Sequence, residues 1–159
     1  GLGDVYKRQV FDIVKAFLPK ANGLSRSAEA GMPTVILAPS GQPGIQIPKS
    51  EPPSQFKRTI LIEGKGSKIA IGDNVTLHYT GWTWLGEEFD SSWPRQAPAS
   101  FDVSPDGLIE GFVQALDGVT IGSQIIAVIP PELGYGDSGQ GSIPPGSTLI
   151  FVIDVLGKE

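Results

Sequence analysis

The sequence predicts an α+β domain in which an antiparallel β-sheet wraps around one short α-helix. Residues 56–159 contain several short aliphatic or alternating segments of strand length. Turn residues rich in Gly, Asp and Asn separate these segments, and only one stretch has apolar residues at helical spacing. Strands with a single helix to cover one face of their sheet favour this fold class over a helical bundle or a parallel α/β fold.

The predicted strands lie between clear turn signals. The segment at 75–80 alternates apolar and polar residues, which is typical of a half-buried strand. It follows the turn residues Gly72, Asp73 and Asn74. The full set of predicted strands is 59–63, 75–80, 101–103, 125–129 and 148–156.

One helix is predicted around Phe112. The apolar residues Leu108, Ile109, Phe112, Val113 and Leu116 fall at positions i, i+1, i+4, i+5 and i+8, which share one helical face. Gly118 follows them and predicts the end of the helix, because glycine adopts the left-handed conformation there at little cost.

The N-terminal third predicts little regular structure. Residues 1–9 contain DVYKRQ at 4–9, which resembles a translated sequencing-library adapter and is expected to be an artefact. The string VFDIV at 10–14 resembles VIDVL at 152–156, so residues 10–17 are either the last strand of a preceding copy of the same domain or a chance match. Residues 18–55 are rich in small residues, Pro and Gly, and predict a linker and an extended segment, with a short β-type run at 34–37 and at most a short strand around 45–47. The folded domain is predicted at 56–159.

Composition excludes several classes of function. The chain has 12 Lys and Arg against 17 Asp and Glu, a net charge of −5, and no basic cluster. This argues against nucleic-acid binding. No apolar run reaches the length of about 20 residues that spans a bilayer, so no membrane span is predicted in this chain. Cysteine is absent, which leaves the location open between the cytoplasm and export or the cell surface of a bacterium; a tandem arrangement would favour export.

The sequence also lacks the residues for nucleophilic or metal chemistry. His78 is the single histidine, and its place in an alternating strand predicts that it points away from the core, either at the surface or as a hydrogen-bonded histidine of the strand. A nucleophilic triad or a His–Cys metal site is therefore excluded, and no metal or cofactor is predicted. The string GYGDSG at 134–139 fits the dinucleotide-binding pattern, but prolines flank it on both sides and no helix can follow it.

Six short motifs in the C-terminal hundred residues resemble those of the FKBP-type peptidyl-prolyl cis/trans isomerases. They occur in the family's order: VTLHYTG at 75–81, EFDSS at 88–92, GLIEGF at 107–112, ALDG at 115–118, IPPELGYG at 129–136 and IPPGSTLIF at 143–151. The resemblance implies an FKBP-like fold and an enzyme that accelerates rotation of X-Pro bonds during protein folding. The alternative is a weakly catalytic or non-catalytic, chaperone-like module that binds peptides in the same pocket.

The resemblance also implies which residues form the site. By position, the catalytic residues would be Tyr79, Phe89, Asp90, Tyr135 and Phe151, and the substrate-binding residues Leu108, Ile109, Phe112, Ile143 and Phe101. Phe89 and Asp90 are adjacent, so an ideal strand would send them to opposite faces, and a bulge or a strand end is expected there. Tyr135 O–H and the backbone N–H of Ile143 are the expected donors to substrate carbonyls, with Asp90 as an orienting acceptor bonded to Tyr79.

Two positions depart from the family's pattern. Phe112 stands where the family typically has tryptophan, and Ala99 stands where an aromatic side chain usually borders the pocket. The expected ligands are therefore proline-containing polypeptides, with macrolides such as rapamycin binding more weakly than to tryptophan-bearing relatives. These departures are also what favours the non-catalytic alternative.

Overall fold

The computed structural model of the protein describes residues 17–27 and 29–159. The predicted adapter at 1–9 and all but the last residue of the predicted remnant strand at 10–17 lie outside these residues.

An antiparallel sheet and one helix form the domain, as predicted. The elements are β1 (Leu24–Ser25), β2 (Thr34–Leu37), β3 (Pro43–Gln46), β4 (Lys57–Glu63), β5 (Asn74–Thr83), β6 (Glu88–Ser91), β7 (Ala99–Asp102), α1 (Glu110–Leu116), β8 (Gln124–Ile129) and β9 (Leu149–Lys158). The main sheet has the order β1-β4-β8-β9-β5-β6, and β7 pairs with the part of β5 that β6 leaves free. The five predicted strands are all present, with ends that differ by at most three residues.

The core lies between the concave face of the sheet and α1. Val75, Leu77 and Tyr79 point to this side from β5 and pack with Phe112 and Leu116 of the helix. Strands β8 and β9 are buried along nearly their whole length because both of their faces are covered. This is why their sequences are continuous aliphatic runs and do not alternate.

The helix is shorter than the apolar spacing suggested. It begins at Glu110, and Ile109 is its N-cap with an extended backbone (φ −60°, ψ 149°), so Leu108 and Ile109 precede the helix. The predicted stop is confirmed: Gly118 has φ +78°, and its N–H donates to the Ile69 carbonyl at 2.8 Å. In the described part of the chain no helix is long and apolar enough to cross a membrane.

Residues 18–55 differ from the predicted linker. A segment that we call the N-terminal strap (residues 17–27) crosses the convex face of the sheet, and its strand β1 pairs with β4. After the strap, β2 and β3 form a hairpin whose Val35 and Ile45 pack against an apolar cluster on that convex face. Composition missed the strap because backbone hydrogen bonds hold it, such as Leu18 N–H to the Leu156 carbonyl at 3.2 Å.

His78 points away from the core as predicted, but it is not at the surface. Its side chain is buried because the ring of Trp93 stacks on it, with centroids 3.9 Å apart and planes 16° from parallel. Of the two predicted environments, His78 therefore has that of a hydrogen-bonded strand histidine, with Nδ1 2.7 Å from Ser92 Oγ. The loop that carries Trp93 lies over the convex face and excludes the surface position, which strand periodicity cannot show.

Candidate active site

A cavity of about 380 Å³ opens between α1, β5, β6, β9 and the loop before β9. All ten residues that the sequence assigned to a site line it: Tyr79, Phe89, Asp90, Phe101, Leu108, Ile109, Phe112, Tyr135, Ile143 and Phe151. Gly107 and the segment 140–142 complete the wall. The volume lies at the lower end of the range of small-ligand pockets, about 300–1,000 Å³, and suits one small ring with part of its neighbours.

Edge-to-face aromatic pairs build the apolar wall. The ring of Phe112 lies 5.0 Å from that of Phe151 with an interplanar angle of 85°, and Phe151 lies 5.5 Å from Phe89 at 86°. Tyr79 and Phe101 extend the series, with ring centroids 5.8 Å apart. These are favourable geometries for aromatic pairs, so the rings fix one another's orientation.

A β-bulge brings Phe89 and Asp90 to the same pocket, as predicted. Gly81 pairs with Asp90 and Trp82 pairs with Glu88, so Phe89 is an extra residue with no partner in the ladder. Gly81 has to be glycine for this arrangement, because a Cβ on it would lie 2.6 Å from the Phe89 ring and 2.8 Å from the Phe151 ring.

The polar side of the pocket is formed by Tyr79 and Asp90, which line the cavity, and by Arg95, which lies outside the lining and is hydrogen-bonded to both. Tyr79 O–H donates to Asp90 Oδ2 at 2.6 Å, and the Arg95 guanidinium donates to Asp90 Oδ1 at 3.0 Å and to the Tyr79 oxygen at 3.1 Å. Burial alone would raise the pKa of Asp90, but the hydrogen bonds from Tyr79 and Arg95 and the charge of Arg95 hold it below its usual value. Burial, together with the hydrogen bond to Asp90, raises the pKa of Tyr79. At neutral pH the carboxylate is therefore ionised and satisfied, which makes it a poor general base.

Arg95 is the polar residue that sequence reasoning missed. It lies five positions after Asp90 in a loop that contains two prolines, where neither periodicity nor a motif indicates the direction of a side chain. A cation shortly after a pocket carboxylate was the available signal. The loop has to turn back toward the strand for the two to meet, and only the structure shows this turn.

The donor predicted at Ile143 is wrong. Its N–H donates to the Gln140 carbonyl at 2.8 Å, and Gln140 N–H donates back to the Ile143 carbonyl at 3.0 Å. An extended residue before proline was expected to leave its N–H free, but the loop folds back and pairs with it. Ile109 offers the alternative: it lines the pocket, and within residues 17–27 and 29–159 no acceptor is found for its N–H.

The hydroxyl of Tyr135 is available as a hydrogen-bond donor in the cavity wall. Burial and the negative charge of Asp90 raise the pKa of Tyr135, so its hydroxyl keeps its proton at all physiological pH values. It lies in the cavity wall after a single 3-10 turn at Pro131–Leu133, which begins where β8 ends.

A sheet wrapped on one helix, with one aromatic pocket bordered by Tyr135 and by the hydrogen-bonded group of Tyr79, Asp90 and Arg95, defines an α+β protein with an apolar site for a small ring. The chain belongs to the FKBP-type peptidyl-prolyl cis-trans isomerases, and the model of that family matches residues 65–156. This confirms the fold class and the enzyme class that the motifs implied.

Individual relatives agree with this assignment. The chain is 38% identical over 118 residues to an FK506-binding protein of Streptomyces anulatus, which covers 72% of this chain and 95% of that protein. It is 43% identical to FkpA of Escherichia coli K12 over 97 residues, 61% of this chain and 35% of FkpA. The crystal structure of E. coli FkpA superposes with a TM-score of 0.63 at 34% identity, covering 82% of this chain and 53% of that one. The structure of AtFKBP13 gives 0.61 at 29% identity, with 79% and 99% covered.

Proposed function

We propose that the aromatic cavity seats a prolyl ring and lowers the barrier to rotation of the preceding amide bond. The observation that carries this is the edge-to-face set of Phe89, Phe112 and Phe151, which encloses one apolar site of small-ring size. The barrier in a free peptide is about 18–20 kcal/mol and comes from amide resonance. Rotation breaks no covalent bond, so a nucleophile or a metal has no step to perform.

The pocket favours the twisted amide over the planar one. A planar amide has a large dipole, and its carbonyl is well solvated by water, whereas the twisted transition state has lost resonance and part of that dipole. Moving the bond from water into apolar walls therefore destabilises the ground state more than the transition state. Each 1.4 kcal/mol or so of this difference accelerates the reaction about tenfold.

Two donors are available to hold the substrate carbonyls. We assign them to Tyr135 O–H and the backbone N–H of Ile109, which replaces the earlier assignment to Ile143. The group of Tyr79, Asp90 and Arg95 keeps the phenol of Tyr79 directed at the carboxylate and away from the substrate. Asp90 then orients the pocket electrostatically and transfers no proton.

The proposed substrates are proline-containing polypeptides with a bulky apolar residue before the proline. The rim beside the prolyl site consists of Phe101, Leu108 and the ring of Tyr135, and the nearest charges, on Asp90 and Arg95, neutralise each other. Macrolides such as rapamycin are proposed to bind more weakly than to relatives with tryptophan in place of Phe112, because the smaller ring leaves part of the floor uncovered.

Exchange NMR on a Leu-Pro tetrapeptide tests the proposal. The protein at substoichiometric concentration should accelerate cis/trans exchange, and Phe89→Leu should lower kcat/KM about two- to tenfold, the effect of one lost aromatic contact. Leu85→Ala is the matched control, since Leu85 is 86% exposed at the β5–β6 turn and does not line the cavity. Peptide binding at the pocket without faster exchange would contradict the proposal and would favour the binding-module alternative.

A further inference from the structure

The loop that follows β6 is locked by a tight turn. Gln96 N–H donates to the Trp93 carbonyl at 2.9 Å, which closes a four-residue turn with Pro94 and Arg95 at its central positions. Proline at the second position of such a turn restricts the backbone before closure. The position of Arg95 relative to Trp93 is therefore set by the turn.

Trp93 occupies a closed slot between two parts of the chain. One face of its ring stacks on His78 of β5 at 3.9 Å. On another side lies Gly41 of the β2–β3 turn, where a Cβ would come within 2.9 Å of indole Cη2. Gly41 also has φ +101°, so both its conformation and its contact with the indole require glycine. The indole is 8% exposed, and its Nε1–H has no partner within the described residues.

The same slot is tied to the strand that carries Tyr79. Ser92 Oγ is hydrogen-bonded to His78 Nδ1 at 2.7 Å and accepts from Tyr79 N–H at 2.8 Å, while Ser92 N–H donates to the Tyr79 carbonyl at 2.9 Å. The segment that contains Trp93 is thus hydrogen-bonded to β5 at Tyr79, and Arg95 of the same segment bonds to the Tyr79 hydroxyl at the edge of the pocket.

We infer that Trp93 is a positioning residue for the isomerase pocket: held between His78 and Gly41, it fixes the turn that brings Arg95 to Asp90 and Tyr79. Through this contact the segment before the isomerase domain becomes part of the pocket's support. The inference deepens the proposed function, and its first test does not depend on catalysis.

The first measurement is the pKa of Asp90, followed by carbon-13 NMR of its carboxyl group. Arg95→Ala removes two hydrogen bonds of the polar group, so the pKa of Asp90 should rise. Trp93→Leu keeps an apolar side chain in the slot and should also raise the pKa of Asp90. Trp93→Phe should give the wild-type pKa, because a ring again stacks on His78. If Trp93 were only a core residue with no link to Arg95, the pKa of Asp90 would be unchanged in all Trp93 variants.

The double variant decides whether Trp93 acts through Arg95. If it does, Trp93→Leu has no further effect on the pKa of Asp90 once Arg95 is alanine. Equal effects of Trp93→Leu in the two backgrounds would overturn the inference. Gly41→Ala tests the contact between the β2–β3 turn and the indole separately. The added Cβ should press on the indole and raise the pKa of Asp90. An unchanged pKa would show that the N-terminal segment does not support the pocket.

Turnover of the Leu-Pro peptide provides the second readout. Trp93→Leu and Arg95→Ala should each lower kcat/KM about two- to fivefold, and the double variant should be no worse than Arg95→Ala. If the wild-type protein does not accelerate exchange at all, the proposed function fails, whereas the pKa series still tests the role of Trp93. Stability of every variant is measured alongside, because a destabilised but correctly positioned pocket would show reduced Tm with an unchanged pKa of Asp90.

Discussion

Replacing Asp154 by asparagine should remove a pH dependence of folding stability between about pH 4 and pH 7. The carboxylate of Asp154 is 1% exposed on the convex face of β9. It accepts hydrogen bonds from Ala21 N–H of the N-terminal strap and from Gln124 Nε2, each at 2.9 Å. Burial raises its pKa to about 6, against the opposing effects of these two hydrogen bonds and of the Lys20 charge.

The sign follows from the direction of the shift. The folded state binds the proton of Asp154 more tightly than the unfolded state, where an ordinary pKa of 3.8 applies. Its contribution to stability is therefore fully present below about pH 4 and is lost as the pH rises through about 6. The full contribution is about 3 kcal/mol, and about 1.4 kcal/mol of it is present at pH 5.

Chemical unfolding followed by tryptophan fluorescence measures this contribution at pH 7.5 and pH 5. When the pH is lowered from 7.5 to 5, the free energy of unfolding of the wild type should rise by about 1.4 kcal/mol relative to that of Asp154→Asn. His78 pairs with Asp154 across the two strands and Lys20 lies near the same carboxylate, and the wild type and Asp154→Asn both retain these two residues. Asp106→Asn removes an exposed carboxylate and shows what the change in net charge does alone.

Parallel pH profiles of the wild type and Asp154→Asn would refute the reasoning. That result would mean that water reaches the carboxylate, for example because the strap opens at Ala21. Hydrogen exchange of Ala21 N–H would then be fast, whereas a docked strap protects it.

Three further predictions concern the pocket. Tyr135→Phe should lower kcat/KM only several-fold, because it removes one donor worth about 1 kcal/mol and leaves the aromatic wall intact; a thousandfold loss in the peptide assay would give Tyr135 a different role. Phe112→Trp should strengthen rapamycin binding in calorimetry with little change in kcat/KM, since aromatic contacts add about 0.5–1.5 kcal/mol; weaker binding would mean that the pocket is packed around phenylalanine. Leu-Pro peptides should be turned over faster than Glu-Pro peptides, and equal rates would contradict an apolar rim.

The sequence alone was sufficient for the fold class and the membership of the pocket. The segments 125–129 and 148–156 are continuous aliphatic runs because both faces of these strands are buried. Such a run can be identified from the local sequence. The bulge at Phe89 followed from two adjacent residues that had to reach one site. The pocket residues themselves came from motif order, since periodicity would class Phe112 and Phe151 as ordinary core.

Only the tertiary structure shows which hydrogen bonds form between segments that are distant in the chain. Whether the Ile143 N–H is free depends on the fold of its loop, and whether Arg95 reaches Asp90 depends on a turn anchored by Trp93. The strap at 17–27 has a linker-like composition, yet backbone hydrogen bonds to β4, β9 and Asp154 hold it on the sheet. Every residue type except proline carries a backbone donor and acceptor, so a sequence gives little indication of which partner will satisfy them.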